Sequence, residues 1–315
     1  MPPIAGSGFE AGVLPRELAP ELGKMGLLGM HLSGYGCAGM GPVAYGVACR
    51  ELEAADTGLR SLVSVQGSLA MYPIWRYGSD EQKEKYLRPL CEGRLWSCFA
   101  MTEPEVAGSD PTLIQTKAYQ DGDEWVITGE KYYISGAGDP RCKIMIVMVK
   151  TNPDAPAHQQ QSQILVPLPH PGVEILGPMH VFGEDHAPRG YMHIRFNNVR
   201  VPKSNILLGE GRGFEISQVR LGPGRIHHCM RTIGKAETAL DLMVKRGNSR
   251  EAFGQPLVML GKNLEIVSRA RIEIEAMRLM VLKAAKAMDV LGNKEARVWV
   301  SMVKAMVPEK ACLII

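Results

Sequence analysis

Trp96-Ser97-Cys98-Phe99-Ala100-Met101-Thr102-Glu103-Pro104-Glu105-Val106-Ala107-Gly108-Ser109-Asp110 is the stretch on which the fold turns. A short apolar run breaks here into a polar loop that is stopped by proline and ends in Ala-Gly-Ser-Asp. Pro104 fixes a turn, Gly108 lets a ligand approach the backbone closely, and Thr102 and Ser109 offer hydroxyls. Phe99 and Met101 add apolar, polarizable surface. Composition alone favours an ordinary exit from a strand, because loops rich in Gly, Ser and Asp are common. What the stretch means depends on its flanks.

Upstream, residues 1–95 read as helices. Leu18, Leu22, Met25 and Leu28 keep helical spacing, and Val43, Val47 and Leu52 do so approximately, with Gly34, Gly36, Gly39 and Gly41 between the two segments. Residues 62–77 are apolar over most of their length and are predicted to be buried. Ser79-Asp80 has N-cap chemistry for a charged amphipathic helix over 81–90, which Gly93 ends. Downstream the period changes: 113–119 and 124–128 flank Asp121-Gly122, a short-range hairpin signal. Further strands are predicted at 144–149, 163–166, 173–176 and 191–196, and the polar segment 151–163 is predicted to be an exposed loop. From Gly213 the helical period returns. Ile233, Ala236, Leu240, Met243 and Val244 mark one helix. Residues 264–291 mark a longer one, with Arg269–Glu273 and Arg271–Glu275 as i,i+4 pairs. A last helix starts near Lys294, and Ala311-Cys312-Leu313-Ile314-Ile315 carries no stop signal, so the chain reads as cut inside a helix. The expected fold is α+β: an N-terminal helical domain (1–97), a central antiparallel β-domain (98–208) and an incomplete C-terminal helical bundle (209–315).

Bulk properties narrow the function classes. The 315 residues are 45% hydrophobic, enough for a sizeable core. A net charge of +3 from 36 basic and 33 acidic residues, with no basic patch, gives no case for nucleic acid. No run approaches the length of a membrane span, and no segment reads as a signal peptide. Seven cysteines without a CxxC pair suit a reducing compartment, the cytoplasm or, in a eukaryote, the mitochondrial matrix. The eighteen methionines lie mostly in helix-like segments and read first as core filler, second as lining for an apolar pocket. Neither a GxGxxG after a strand nor a GxxxxGK[ST] is present. His227-His228 beside Cys229 is a poor metal site, since neighbours on a helix point about 100° apart and no carboxylate sits at a matching offset. Gly209-Glu210-Gly211-Arg212-Gly213 either offers N–H groups to an anion or is a tight connection into the next helix.

Four ordered motifs carry a resemblance over essentially the whole chain. They are Phe99 to Pro104 with Gly108-Ser109-Asp110; Gly129-Glu130-Lys131-Tyr132-Tyr133-Ile134-Ser135; Asn198-Val199-Arg200-Val201-Pro202; and Arg250-Glu251-Ala252-Phe253-Gly254. Together they resemble the acyl-CoA dehydrogenase family. Gly34 to Gly39 and Arg50 to Ser61 resemble its glutaryl-CoA branch. The part from about Trp96, above all Leu208 to Ser217 and Gly222 to Arg231, resembles the branch often fused to a phosphotransferase-like kinase domain, which this sequence lacks.

The resemblance implies an FAD site. Phe99, Met101 and Thr102 would flank or hydrogen-bond the isoalloxazine, and Gly108 and Ser109 would reach the pyrophosphate or the CoA moiety. Tyr133, Ile134 and Ser135 stand where the family usually places a Trp and a Thr around the ring. Arg250 and Phe253 match residues that contact the FAD of a neighbouring subunit, which implies a homodimer or homotetramer. Gly222, Pro223, Gly224 and Arg225 match the segment against the acyl-CoA. Arg60 and Ser61, with Glu53 nearby, match positions used around a distal carboxylate; the alternative is that Arg60 simply caps the first helical domain. The implied reaction is α,β-desaturation of an acyl thioester: a carboxylate takes the α-proton while hydride leaves the β-carbon for flavin N5, and an electron-transfer flavoprotein accepts the electrons. The catalytic base is unassigned. The family places it beyond the last helix seen here or just before the Arg matched by Arg225, where Gly224 stands. The alternative reading is therefore a non-catalytic flavin and acyl-CoA binder.

Overall fold

In the computed structural model, which describes residues 14, 15, 17–181 and 190–315, the chain runs through α1 (Leu18–Lys24), α2 (Pro42–Ala55), α3 (Thr57–Ser64), a π-helix (Val65–Met71), α4 (Tyr72–Tyr77) and α5 (Asp80–Cys91). The strands of the main sheet are β1 (Trp96–Ala100), β2 (Lys117–Asp121), β3 (Glu124–Ser135), β4 (Cys142–Lys150), β5 (Gln161–Pro167), β6 (Val173–Met179) and β7 (Tyr191–Pro202). They are followed by α6 (Gly213–Ser249), α7 (Asn263–Glu295) and α8 (Arg297–Ile314). Met1–Met40 with Gly58–Arg220 makes one compact unit, and Gly41–Thr57 with Leu221–Ile315 a second.

In the first unit, local chemistry sets the helix ends. Ser79 Oγ accepts from Gln82 N at 3.2 Å, and Gln82 Oε1 accepts from Ser79 N at 2.9 Å, a reciprocal capping box that starts α5. Residues 62–77 are largely buried, as their composition predicts, but they are not one regular helix: the middle is π-helical. There Gln66 points into the protein. Its Oε1 accepts from Ser97 N at 3.0 Å and Ser97 Oγ at 2.8 Å, while its Nε2 donates to Leu90 O and Leu95 O. Leu32, Met71, Ile74, Leu87 and Leu90 from the helices pack with Ile144, Ile146 and Leu165 from the sheet into one apolar core.

The seven strands run in the order β1-β4-β2-β3-β7-β6, with β5 also on β4. The Asp121-Gly122 hairpin forms as expected, with Asp121 opposite Glu124 and Gly122 at φ +61°. Antiparallel pairing holds for β2–β3, β3–β7, β6–β7 and β4–β5, whereas β1 and β2 each pair with β4 in parallel. Several boundaries differ from expectation: β3, β6 and β7 run on to Ser135, Met179 and Pro202, and two further boundaries have a local cause. Strand β2 starts only at Lys117, because Pro111–Leu113 is a 3-10 turn capped by the Asp110 side chain. The exposed loop ends at Gln160, because Gln161, Ser162 and Gln163 are fully buried in β5, where Gln163 Nε2 donates to Gly213 O and Ser217 Oγ. Polar composition concealed only the start of this strand, which is predicted from 163, since the Gln161 and Gln163 amides bond to backbone and hydroxyl oxygens rather than to water.

In the second unit, Cys229, Ile233, Ala236 and Leu240 of α6 pack with Ile274, Met277 and Val281 of α7 and Val303 and Val307 of α8. Gly234 lets α2 and α6 touch: a Cβ there would lie 2.5 Å from Arg50 O. Gly292, at φ +81°, breaks the helical path ahead of α8. Arg271–Glu275 pairs at 3.7 Å, but Arg269 pairs with Glu265 rather than Glu273, and Glu273 binds Lys310. His227 stacks on Tyr45 at 5.0 Å. Among the described residues, no helix is long and apolar enough to cross a membrane, and no cluster of His, Cys, Asp and Glu could hold a metal.

Candidate functional site

Strand β1 leads directly into the Met101–Gly108 loop, and β3 lies beside that loop. Thr102 Oγ1 donates to Tyr132 O at 2.6 Å, and Tyr132 N donates back to Thr102 O at 3.0 Å. Loop and strand are further locked by a buried ion pair. Lys131 Nζ donates to Met101 O at 2.8 Å and to Glu103 Oε1 at 2.7 Å, and the Glu103 carboxylate also accepts from Gln115 N and Thr116 N. Both side chains are almost fully enclosed. Burial pulls Lys131 down to about 8, against the opposing charge and hydrogen bond of Glu103. For Glu103, burial pushes the pKa up, but the Lys131 charge and hydrogen bond and the two backbone donors outweigh it and hold the carboxyl below its ordinary value.

The sign of the pH dependence follows. Glu103 titrates lower in the native state than in the unfolded chain, so its stabilisation is complete above the ordinary carboxyl pKa of 4.5 and is lost as pH falls through the native value. Thermal unfolding measured between about pH 3 and 6 should show a steep acid limb that is shallower in Glu103→Gln. Equal slopes would remove Glu103 as its cause.

Register slips between Lys131 and Ile134, forming a bulge in β3 against β7. Bulges re-aim side chains beside sites, and here Tyr133 takes φ +57° with its ring 46% exposed, edge-on to Tyr132 at 4.8 Å. Ile134 turns back into the core, and the next residue, Ser135, lines a narrow cavity with Ser61, Leu62, Val65, Trp96, Ser97 and Gly136. The structure thus joins Ser61, expected near the acyl chain, with Ser135, expected near the cofactor. Arg60 is buried, with Nη1 donating to Ser64 Oγ at 2.9 Å. Gly108 is needed sterically, since a Cβ would lie 2.8 Å from Thr102 Cγ2; Ser109 is exposed beside it. Phe99 is half-buried under the Arg220 guanidinium, 3.8 Å from the ring centre.

Other expected positions lie on α6 and after it. Gly222 and Pro223 continue the α6 backbone, but their side chains lie outside the described residues. Gly224 is half-buried and Arg225 exposed. Arg250 is exposed at the end of α6, and Phe253, at φ +53° in the turn between the two-residue strands Glu251–Ala252 and Gln255–Pro256, is 95% exposed. The 209–213 segment is a tight connection: Gly209 N bonds Leu207 O and Gly211 N bonds Ser162 Oγ. Sequence reasoning gave no role to Gln66, Glu103, Lys131 or Arg220. The available signal was a carboxylate and an ammonium embedded in two otherwise contact-forming motifs.

Models of the acyl-CoA dehydrogenase N-terminal, middle and C-terminal domains match residues 1–94, 98–199 and 211–315. The chain belongs to the acyl-CoA dehydrogenase family. A glutaryl-CoA dehydrogenase from Mycobacterium smegmatis, solved in complex with FADH2, superposes with a TM-score of 0.87 at 34% identity, covering 99% of this chain and 77% of that one. Acyl-CoA dehydrogenase family member 10 of Mus musculus is 49% identical over 302 residues, 95% of this chain and 27% of the relative. Family member 11 of Homo sapiens is 50% identical over 241 residues, 76% of this chain and 31% of the relative. The chain thus spans roughly a quarter to a third of the length of these two relatives. It has the family's architecture of N-terminal helices, middle β-domain and C-terminal helices.

Proposed function

We propose that this chain carries the flavin cradle and acyl-CoA contacts of an FAD-dependent acyl-CoA dehydrogenase. The observation that supports this most is the Met101–Gly108 loop fastened to the bulged strand that presents Tyr133. These residues fit FAD: an exposed aromatic plate stands on a rigid bulge, beside a loop held by Gly108 and flanked by the Ser109 and Ser135 hydroxyls. Bound FAD would supply a two-electron acceptor at N5 for the hydride leaving the β-carbon. The Thr102 hydroxyl has already donated its proton to Tyr132 O, so toward a bound ring its oxygen is left to accept a hydrogen bond. Phe99, Met101 and Ile134 keep water from the ring's surroundings. Arg250 and the protruding Phe253 face outward as contacts for a second copy of the chain, within a homodimer or homotetramer. The partners this reading calls for are the acyl-CoA and an electron-transfer flavoprotein. The seven free cysteines suit a reducing compartment, the cytoplasm or mitochondrial matrix. The division 1–97, 98–208 and 209–315 belongs to the same reading.

The purified chain should be yellow and lose flavin absorbance anaerobically when a saturated acyl-CoA is added; colourless protein that takes up no FAD would reject the reading. Gly224 favours a second reading, a binder without turnover, because no carboxylate stands at that family position. A Cβ at Gly224 meets nothing within 4 Å, so a longer side chain has room. On the binder reading, the parent chain binds FAD and thioester without turnover, and Gly224→Glu raises desaturation by about 10²-fold or more. An unchanged rate in that variant would show that Gly224 does not stand at a base position.

A further inference from the structure

Four of the seven free cysteines lie in two touching pairs, Cys37 with Cys91 and Cys98 with Cys142. The pairs differ in access. Cys98 and Cys142 are both enclosed within the sheet, whereas Cys37 is half-buried and packs against the core that holds Cys91.

Local geometry brings the first pair together. Cys37 opens the return strand of a small hairpin in which Ser33–Gly34 pairs with Cys37–Ala38, and Tyr35 and Gly36 both take positive φ in its turn. The turn aims Cys37 into the helical layer: a Cβ on Gly29 would lie 3.3 Å from Cys37 Sγ and 2.5 Å from Cε of Met71 in the π-helix. Cys91 is the last residue of α5, and a Cβ on Gly36 would lie 3.9 Å from its Sγ. The two thiols are in hydrogen-bond contact, with Cys37 as the donor. That bond favours the thiolate on Cys91 against burial and the Glu92 charge, and the Arg88 guanidinium, 3.8 Å from the same Gly36 position, favours it further. A thiolate beside an arginine, with a second thiol in contact, is the arrangement that oxidises to a disulfide rather than to a lasting sulfenic acid.

We propose that Cys37 and Cys91 form a reversible redox tie, in which a hydroperoxide converts the two thiols to a disulfide that fastens the 33–38 hairpin to the end of α5. The Cys91 thiolate takes OH from the peroxide, giving a sulfenic acid and hydroxide, and the hydroxide takes the Cys37 proton to become water. The Cys37 thiolate then attacks the Cys91 sulfur, forms the S–S bond and expels a second hydroxide, which solvent protonates to water. Each sulfur is oxidised by one electron, and both peroxide oxygens leave reduced. Thiols of a reducing compartment reverse the tie by exchange. The closed loop contains the π-helix and the helix of Arg60 and Ser61, so oxidation stiffens the layer that contributes those residues.

The test treats the full chain with a small excess of hydrogen peroxide and maps its peptides without reductant. The parent should lose two thiols, yield a Cys37–Cys91 cross-linked peptide, melt about 5 °C or more higher than the reduced chain, and return to its starting state with dithiothreitol. Cys37→Ser and Cys91→Ser should each remove the cross-link and the shift, while Cys98→Ser keeps both. The peptide map of the parent decides the linkage even where a serine variant fails to fold. Sulfenic or sulfinic acid on either residue without the cross-link, a Cys98–Cys142 link in its place, or a cross-linked chain that melts with the reduced one would overturn the inference.

Discussion

Lys131→Met is expected to lower the unfolding free energy by about 3–5 kcal/mol, because it leaves the Glu103 carboxylate buried without its counter-charge. The same change frees Met101 O, so the loop should loosen and the chain should lose FAD in the same preparation. Urea unfolding of the parent, Lys131→Met and Lys131→Met with Glu103→Gln measures the first effect, and flavin absorbance of the same preparations the second. The double variant should recover part of the loss, because the orphaned charge is gone. A single variant within about 1 kcal/mol of the parent would mean that the pair does not hold the loop.

The second large effect is expected at Gly129. It sits at φ +151°, and a Cβ there would lie 2.6 Å from Thr116 Cα and 2.8 Å from Thr116 Cβ. Thr116 cannot easily yield, because its N–H binds Glu103 and its hydroxyl donates to Glu130 O. Gly129→Ala should therefore cost about 2–4 kcal/mol, adding overpacking to backbone strain. Gly122→Ala is the control. It also has positive φ, but its Cβ meets nothing within 4 Å, so about 1–2 kcal/mol of backbone cost is expected. Equal losses at the two sites would show that the contact with Thr116 is unimportant.

Local signals in the sequence predicted the local structure well. The Ser79 cap, the Asp121-Gly122 turn and the return of helical period after Gly213 are each decided by residues within a few positions of one another. The Thr102 loop was also recognised, through four motifs in order. What stayed hidden depends on long-range placement. Glu103 and Lys131 are 28 residues apart, and only the pairing of loop with strand brings them together. The parallel pairing of β1 with β4 joins segments separated by a hairpin and a turn, and no period in either strand specifies its direction. The burial of Gln163 is hidden because its partner, Gly213 O, lies 50 residues away. Arg220 gave no signal, since an arginine on a helix is ordinarily at the surface.

Gln66 sets the limit on how this protein can be cut. Its amide satisfies the Ser97 N–H that no strand takes, so one end of the sheet is finished by a side chain from the helical layer. A fragment confined to residues 98–199 would lack Gln66, Trp96 and Ser97 and would leave that flank of β4 partly open to strand addition by other chains. The sheet is therefore not a portable module. Its edge strand is finished by the helical layer through Gln66.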